Sequence, residues 1–445
     1  MGNCSLYIHI PFCASFCDYC DFYSVRLPSD SKTADRLINA YIDALLAEGE
    51  RLVQKFGAAI NTTGAAINTP GAAIHTAGAV PVPSVYIGGG TPSMLGAAGI
   101  GRLLRGLAAV LPSTPRQKPP EFTVEANPES ADGAFLGACR DNGVNRISLG
   151  VQSFCDHSRR LVHRGGEAAR IPERLRLVSE IFGGNFSADL IAGLPAQDEA
   201  ALLGDIEKLL SYHPAHVSLY SLTVEEGTPL AEARTAGGHC GGVACGGTEL
   251  LPPAGSFAGS SADETDRLWI AGRDALEQAG YGQYEVSNFA LPGKRSTHNI
   301  RYWRMENWLG LGAAASGSIF DDEAGTGRRF TYPADIGPWV NRKPGEAIPV
   351  DAEELDRLTL MKETFLMGFR YIEGPDPALF EKRFGVTIER ALPETLAKWQ
   401  GRGLLQAEKI ALSKEGLLLL DPFLIDAFGE LERREAGPAG KSPGN

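Results

Sequence analysis

Short apolar runs rich in β-branched and aromatic residues recur along the first half of the chain, at Leu6–Ile10, Val85–Gly88, Phe122–Ala126, Arg146–Leu149, Ala188–Ala192 and Val217–Leu222. Each has the length of a buried strand and is followed by a segment with helical spacing. Between Ala34 and Phe56, the apolar Leu37, Ile42, Leu45, Leu46 and Leu52 fall toward one helical face, and Glu199–Leu210 forms a second such stretch. Alternating strand and helix signals predict parallel strands joined by right-handed crossovers. Six repeats without a convincing eighth suggest an α/β fold built as an open, partial (β/α)6 barrel. A doubly wound sheet is the alternative, because periodicity does not reveal strand order.

Two segments interrupt the alternation. Residues 57–78 repeat an imperfect heptamer (GAAINTT, GAAINTP, GAAIHTA). One Ile per repeat beside Gly, Thr and Asn gives no coiled-coil seam, so residues 57–83 are expected to be a low-complexity insertion. Residues 236–262 are Gly-, Ser- and Pro-rich and read as a second insertion. His239, Cys240 and Cys245 lie in it, but nothing there would preorganise a metal site. The barrel is expected over 1–235, a capping segment over 263–350, a C-terminal domain over 351–430 and a disordered tail over 431–445. Within the C-terminal domain, helical patterns at Glu353–Phe369, Pro377–Phe384 and Leu392–Arg402 precede an alternating run, Leu404–Leu420, that resembles a small hairpin. Helices followed by a hairpin predict a smaller, winged-helix-like domain.

Charge narrows the function. The net charge is −12, and clustered Lys and Arg of the kind that neutralise phosphates are missing, so DNA binding by the winged unit is disfavoured against a packing or lid role. No stretch reaches the roughly 18 uninterrupted apolar residues of a membrane span. An apparent strand begins by Ser5, leaving no room for a signal peptide, and the expected location is cytoplasmic.

Three of the eight cysteines lie within eight residues, Cys13-Ala14-Ser15-Phe16-Cys17-Asp18-Tyr19-Cys20, at the end of the first predicted strand. Such clustering points to metal or thiol chemistry rather than a disulfide framework. One short loop with this spacing can wrap an iron–sulfur cubane and supply three thiolates. Protein-held cubanes otherwise use four, so one iron would be left open. S-adenosylmethionine chelating that iron would allow reductive cleavage of its sulfonium to a 5′-deoxyadenosyl radical. Structural zinc with a distant fourth ligand, or a redox-active Cys17/Cys20 pair, are the competing readings. Polar residues at later strand ends favour the first. The second strand ends in Gly88-Gly89-Gly90-Thr91, the third carries Glu125, the fourth is followed by Gln152 and the fifth contains Asp189. Parallel barrels gather their active sites at these ends.

With VYIGGGTPS, FTVEANPES, ISLGVQSF and ADLIAGLP added to the cysteine loop, the chain resembles the anaerobic coproporphyrinogen oxidase family of radical S-adenosylmethionine proteins, and more closely its HemW-like branch, the haem chaperones. The resemblance implies a [4Fe–4S] cluster on Cys13, Cys17 and Cys20. It also implies S-adenosylmethionine contacts at Tyr7, Tyr19, Gly89, Gly90, Thr91, Glu125, Gln152, Arg164, Asp189 and Thr223. Haem, a haemoprotein acceptor among respiratory enzymes, and an electron donor such as flavodoxin or ferredoxin would be the partners. The related coproporphyrinogen dehydrogenases carry a further Cys two residues after the third ligand, where this chain has Phe22, and an N-terminal region that is absent before Cys13. Both differences favour the chaperone branch over oxidative decarboxylation, which remains the alternative function.

The branch is also marked by His298-Asn299-Ile300-Arg301-Tyr302-Trp303, an HNxxYW pattern. Imidazole suits haem iron and flat rings suit a porphyrin face, making His298, Asn299, Tyr302 and Trp303 candidates for haem binding. An aromatic cluster with a hydrogen-bonded histidine, closing the barrel mouth, is the competing role. His9, inside the first strand, is expected to pack.

Overall fold

A computed structural model describes residues 4–61, 82–110, 121–235, 261–343 and 345–435. The six predicted strands form as β1 (Ser5–Ile10), β2 (Ser84–Gly89), β3 (Glu121–Ala126), β4 (Arg146–Gln152), β5 (Phe186–Ala192) and β6 (His216–Ser221). Helices α1 (Ser31–Asn61), α2 (Gly96–Val110), α3 (Gly133–Asp141), α4 (Ile171–Phe182), α5 (Glu199–Leu210) and α6 (Ala262–Gln278) follow them in alternation. β1 to β6 lie side by side in sequence order and all pair in parallel. A doubly wound sheet would reverse direction at β1; this consecutive order is barrel winding.

The sheet continues beyond the six repeats. β7 (Gly282–Gln283) and β8 (Asn288–Ala290) extend it antiparallel past β6. On the other side, β9 (Trp308–Leu311) is a seventh parallel strand against β1, followed by antiparallel β10 (Ser316–Asp321), β11 (Thr326–Thr331) and β12 (Asp351–Leu355). Its two edges, β12 and β7, are unpaired in the sheet order, which is that of an open barrel. Alternation along the strands sets their apolar residues on one face, where Ile8, Ile10, Ile87, Val124, Ile147, Leu149, Leu190 and Leu219 are almost inaccessible, and Tyr7, His9, Glu125 and Asp189 on the other. Segment Pro92–Val110 has the length and hydropathy of a membrane span, unlike the sequence expectation. It carries Arg102 and Arg105 and buries Ile100, Leu103, Leu104 and Leu107 in the main core, as a core helix does.

Several expectations need correction. α1 runs into the first heptamer, to Asn61; the rest of the repeat, and His239, Cys240 and Cys245, lie outside the described residues. Residues 351–355 are not the start of a helix but an edge strand paired with β11. Helices α7 (Thr297–Trp303), α8 (Arg357–Gly368), α9 (Pro377–Phe384), α10 (Pro393–Gly401) and α11 (Leu420–Glu435) follow the barrel. The predicted wing reduces to one antiparallel bridge, Leu405 to Leu412. Beyond it, Ser413 caps a short helix at Lys414–Leu417. α11 carries the chain through the start of the expected tail, with Leu431 buried. A second core, centred on Phe365, Phe369, Phe380, Trp399 and Phe423, also takes in Met305, Trp308 and Phe320, so these helices pack on the antiparallel extension of the sheet.

Candidate functional site

The cysteine loop leaves β1 and is pinned at both ends. Phe12–Cys13 pair in parallel with Val25–Arg26, and Leu27 N–H donates to Cys13 C=O at 3.1 Å. At its far side, Asp18 N–H reaches Val162 C=O at 3.1 Å, and Leu230 N–H reaches Asp18 C=O at 3.0 Å. The loop is thereby held over the C-terminal ends of the strands. Cys13, Cys17 and Cys20 all line a cavity of about 700 Å³, within the roughly 300–1,000 Å³ usual for ligand clefts. Its wall also includes Tyr19, Gly89, Gly90, Thr91, Glu125, Gln152, Arg164, Asp189 and Thr223. Nine of the ten residues assigned by resemblance to S-adenosylmethionine thus share one cavity with the three thiols.

Tyr7 is the exception. It does not line this cavity; its hydroxyl donates to His9 Nδ1 at 3.0 Å. His9 Nε2 in turn donates to Tyr23 C=O at 2.9 Å, and the ring is buried against Gly89, where any Cβ would come within 2.6 Å of it. His9 therefore packs, as its position in the strand implied.

The wall is built for close approach. A Cβ on Gly90 would lie 2.9 Å from the Pro11 carbonyl carbon and 3.1 Å from Cys13 Sγ, so only glycine lets this turn press on the cluster loop. Gln152 sits at φ 67, beyond a register shift between Gly150 and Gln152 in β4. A left-handed glutamine at a bulge is a strained arrangement of the kind that aims a side chain into a site.

Polar contacts converge on the thiols. Cys13 Sγ lies 3.5 Å from Thr91 Oγ1, which also accepts from Asn127 Nδ2 at 3.0 Å. Arg164 donates to Cys17 Sγ at 3.8 Å, Asn127 Oδ1 at 2.7 Å and Gly150 C=O at 2.7 Å. Burial pushes the Cys20 thiol up to about 11 and raises Cys13 as well. These two thiols are accordingly protonated at neutral pH when bare, and a metal centre would have to displace their protons.

Two carboxyls stand opposite. Glu125 accepts from Tyr86 O–H at 2.6 Å and from Gly89 N–H at 3.1 Å. One side remains open to the cavity, but loss of water raises it to about 7. Asp189, beside Ser148, is raised to about 6 for the same reason.

These residues fit the implied groups. Arg164 Nε is buried without a partner in the cavity wall, a donor awaiting an acceptor. Glu125 and Asp189 suit a ligand bearing cationic and hydroxyl groups. Among the described residues, no three His, Cys, Asp or Glu side chains converge as a single-ion site would require. A cubane instead engages its three thiolates at three separate irons.

Sequence reasoning missed Asn127, Ser148 and Tyr220 in the wall. Asn127 was within reach, because it lies two residues after Glu125 and side chains alternate along a strand. Tyr86, outside the cavity but holding Glu125, gave no separate signal.

The HNxxYW residues are elsewhere. α7 packs at the N-terminal ends of the strands, where Glu121, the first residue of β3, accepts from the backbone N–H groups of Thr297 and His298, both at 2.9 Å. His298 is 2% exposed, hydrogen-bonded to Ser84 at 2.9 Å and stacked on Tyr86. Tyr302 meets its edge, and Trp303 joins a cluster with Tyr284 and Tyr371. The structure does not bring His298, Asn299, Tyr302 or Trp303 to the cavity, and the aromatic cluster closes the end opposite the mouth where it was expected.

Comparison with known proteins agrees with this architecture. Residues 7–209 match the Radical SAM superfamily and residues 355–419 the HemN C-terminal domain. The heme chaperone HemW of Lactococcus lactis is 30% identical over 429 residues, covering 95% of this chain and 97% of that protein. The mitochondrial radical S-adenosyl methionine domain-containing protein 1 of Bos taurus is 32% identical, covering 96% and 88%. Coproporphyrinogen III oxidase (HemN) from Escherichia coli, a radical SAM enzyme, shares the fold with a TM-score of 0.72 at 20% identity, covering 96% of this chain and 90% of its own. The chain belongs to the HemW-like branch of the anaerobic coproporphyrinogen oxidase family, within the radical SAM superfamily.

Proposed function

We propose that this protein is a haem chaperone that binds haem and passes it to haemoproteins, and that it carries a [4Fe–4S] cluster and S-adenosylmethionine in the cavity beneath the cysteine loop. The observation carrying this reading is the near-full-length likeness, through barrel and C-terminal helices alike, to a relative named as a heme chaperone. Phe22, 65% exposed at the cavity rim, supports it over porphyrinogen decarboxylation, since it occupies the place of the dehydrogenases' additional cysteine.

Cys13, Cys17 and Cys20 would hold the cluster, and the chemistry supplied when cluster and S-adenosylmethionine are bound is one-electron cleavage of a sulfonium. The chain's own contribution is positioning. Gly89, Gly90 and Thr91 would meet the cofactor's amino-acid end, and Tyr19 its adenine. Glu125, Gln152, Arg164, Asp189 and Thr223 would fix the remainder. Arg164 donates to Cys17 Sγ and would hold that ligand in place. A cytoplasmic location, a flavodoxin- or ferredoxin-like donor and a respiratory haemoprotein acceptor complete the reading.

The test is anaerobic reconstitution followed by parallel assays. The proposal expects saturable haem binding and transfer to an apo-haemoprotein, without turnover of coproporphyrinogen III. Vinyl formation dependent on that substrate, or no haem binding, would contradict it.

A further inference from the structure

His298, the histidine of the HNxxYW pattern, lies at the closed end of the barrel, yet it is linked to the cofactor cavity by a column of rings. Its imidazole stacks on the Tyr86 ring with centroids 5.0 Å apart and planes 27° from parallel. Tyr86 stacks in turn on Tyr7 at 6.3 Å and, through its hydroxyl, donates to Glu125 Oε1 at 2.6 Å. Gly88 makes that meeting possible: a Cβ there would lie 2.9 Å from both Glu125 Cδ and Tyr86 Cε1. Glu125 is the member of the column that faces the cavity.

The imidazole is itself fixed. Ser84 O–H donates to Ser5 Oγ at 2.9 Å, so the contact between His298 Nδ1 and Ser84 Oγ, also 2.9 Å, has the imidazole N–H as donor. Ser5 Oγ further accepts from Arg301 Nε at 2.6 Å. Thus two polar residues of α7, His298 and Arg301, three positions apart on one helical face, clamp the first residues of β1 and β2 together. Edge contact with Tyr302 holds the ring from the side. The remaining nitrogen, Nε2, is buried with no partner, in a ring that is 2% exposed. Such a ring offers shape and a fixed plane; it is closed to a porphyrin.

We infer that His298 is a positioning residue for the S-adenosylmethionine site: its ring sets Tyr86, and Tyr86 sets the Glu125 carboxyl. This assignment rests on the reading that the cavity takes S-adenosylmethionine, and it gives the branch-marking motif a role in cofactor binding rather than in haem ligation.

The test uses the full chain with its cluster reconstituted anaerobically, S-adenosylmethionine binding measured by calorimetry, and haem binding by Soret absorbance. Three single variants are compared: Tyr86→Phe removes the hydroxyl alone, His298→Leu removes the flat ring, and His298→Phe keeps it. Tyr86→Phe and His298→Leu should each weaken S-adenosylmethionine about tenfold, the scale of one charge-assisted hydrogen bond. Their combination should be no weaker than either alone, because both act through one carboxyl. His298→Phe should restore affinity to within about threefold of the wild type, and the haem spectrum should not change in any variant. Should His298→Leu fail to fold, His298→Gln, which keeps a donor toward Ser84 without a ring, takes its place in the cycle. Additive losses, wild-type affinity in His298→Leu, or a haem spectrum altered by His298→Phe would overturn the inference while leaving the cavity reading intact. Wild-type protein that binds no S-adenosylmethionine would overturn both.

Discussion

Gly90 is held between backbone and sulfur: the carbonyl groups of Pro11 and Phe12 and the thiol of Cys13 all lie where its Cβ would be. An alanine there must push the cysteine loop outward. Gly90→Ala should retain the wild-type circular dichroism but lose more than about half of the iron and sulfide taken up on reconstitution; full incorporation would show that the loop tolerates the displacement. Glu285 makes a different prediction. It is fully buried, and desolvation raises its carboxyl to about 7 from the usual 4.5, against partial compensation by the Ser287 N–H and Asn288. Between these two values the unfolded chain ionises first, so the folded protein binds more protons and stability falls as pH rises. Glu125 and Asp189 are raised as well and act in the same direction. At about 1.4 kcal/mol per pKa unit, Glu285 alone contributes a loss of roughly 3 kcal/mol across that window. Glu285→Gln should therefore lose less thermal stability than the wild type between about pH 5 and about pH 8. Parallel profiles would contradict the assignment.

α7 depends on a neighbour distant in sequence. Ser296 caps it locally, but Glu121 at the start of β3 accepts from Ser296 O–H, Thr297 N–H and His298 N–H while also facing Arg146. Glu121→Ala leaves those donors without an acceptor and Arg146 nearly buried without its carboxylate. The loss should be about 3 kcal/mol, seen as a lower Tm; an unchanged Tm would mean that Ser296 alone fixes the helix. Contacts of this kind explain which elements could be read in advance. The six parallel strands announced themselves as buried apolar runs, and their polar ends, Gly89 to Thr91, Glu125, Gln152 and Asp189, pointed to a common mouth. β9 was hidden because Trp308-Leu309-Gly310-Leu311 is short and continues into glycine and alanine. Its Gly310 is needed where the backbone of Ser316 comes within 2.2 Å of a would-be Cβ. The wing is shorter than expected for the opposite reason. Its alternating apolar positions serve one bridge and two helix starts, whose side chains enter the second core from different elements. The place of His298 was illegible because its ligand-like chemistry is set by Ser84 and Tyr86, more than 200 residues away.

Across the whole molecule, the open sheet carries two apolar cores, one enclosed by the barrel helices and one between the antiparallel extension and the C-terminal helices. The candidate site lies at one end of the parallel part, where loop and strand ends surround the 700 Å³ cavity. The opposite end is closed by α7. Phe16 and Phe22, both exposed aromatic residues, stand at the rim of that cavity. The proposed function requires that three thiolates leave one iron accessible in that cavity. Electron paramagnetic resonance of the reduced, anaerobically reconstituted protein tests this most directly. The spectrum should be that of a [4Fe–4S]+ cluster, should shift when S-adenosylmethionine is added, and should vanish in Cys17→Ala. A cluster signal indifferent to S-adenosylmethionine, or zinc in place of iron, would contradict it.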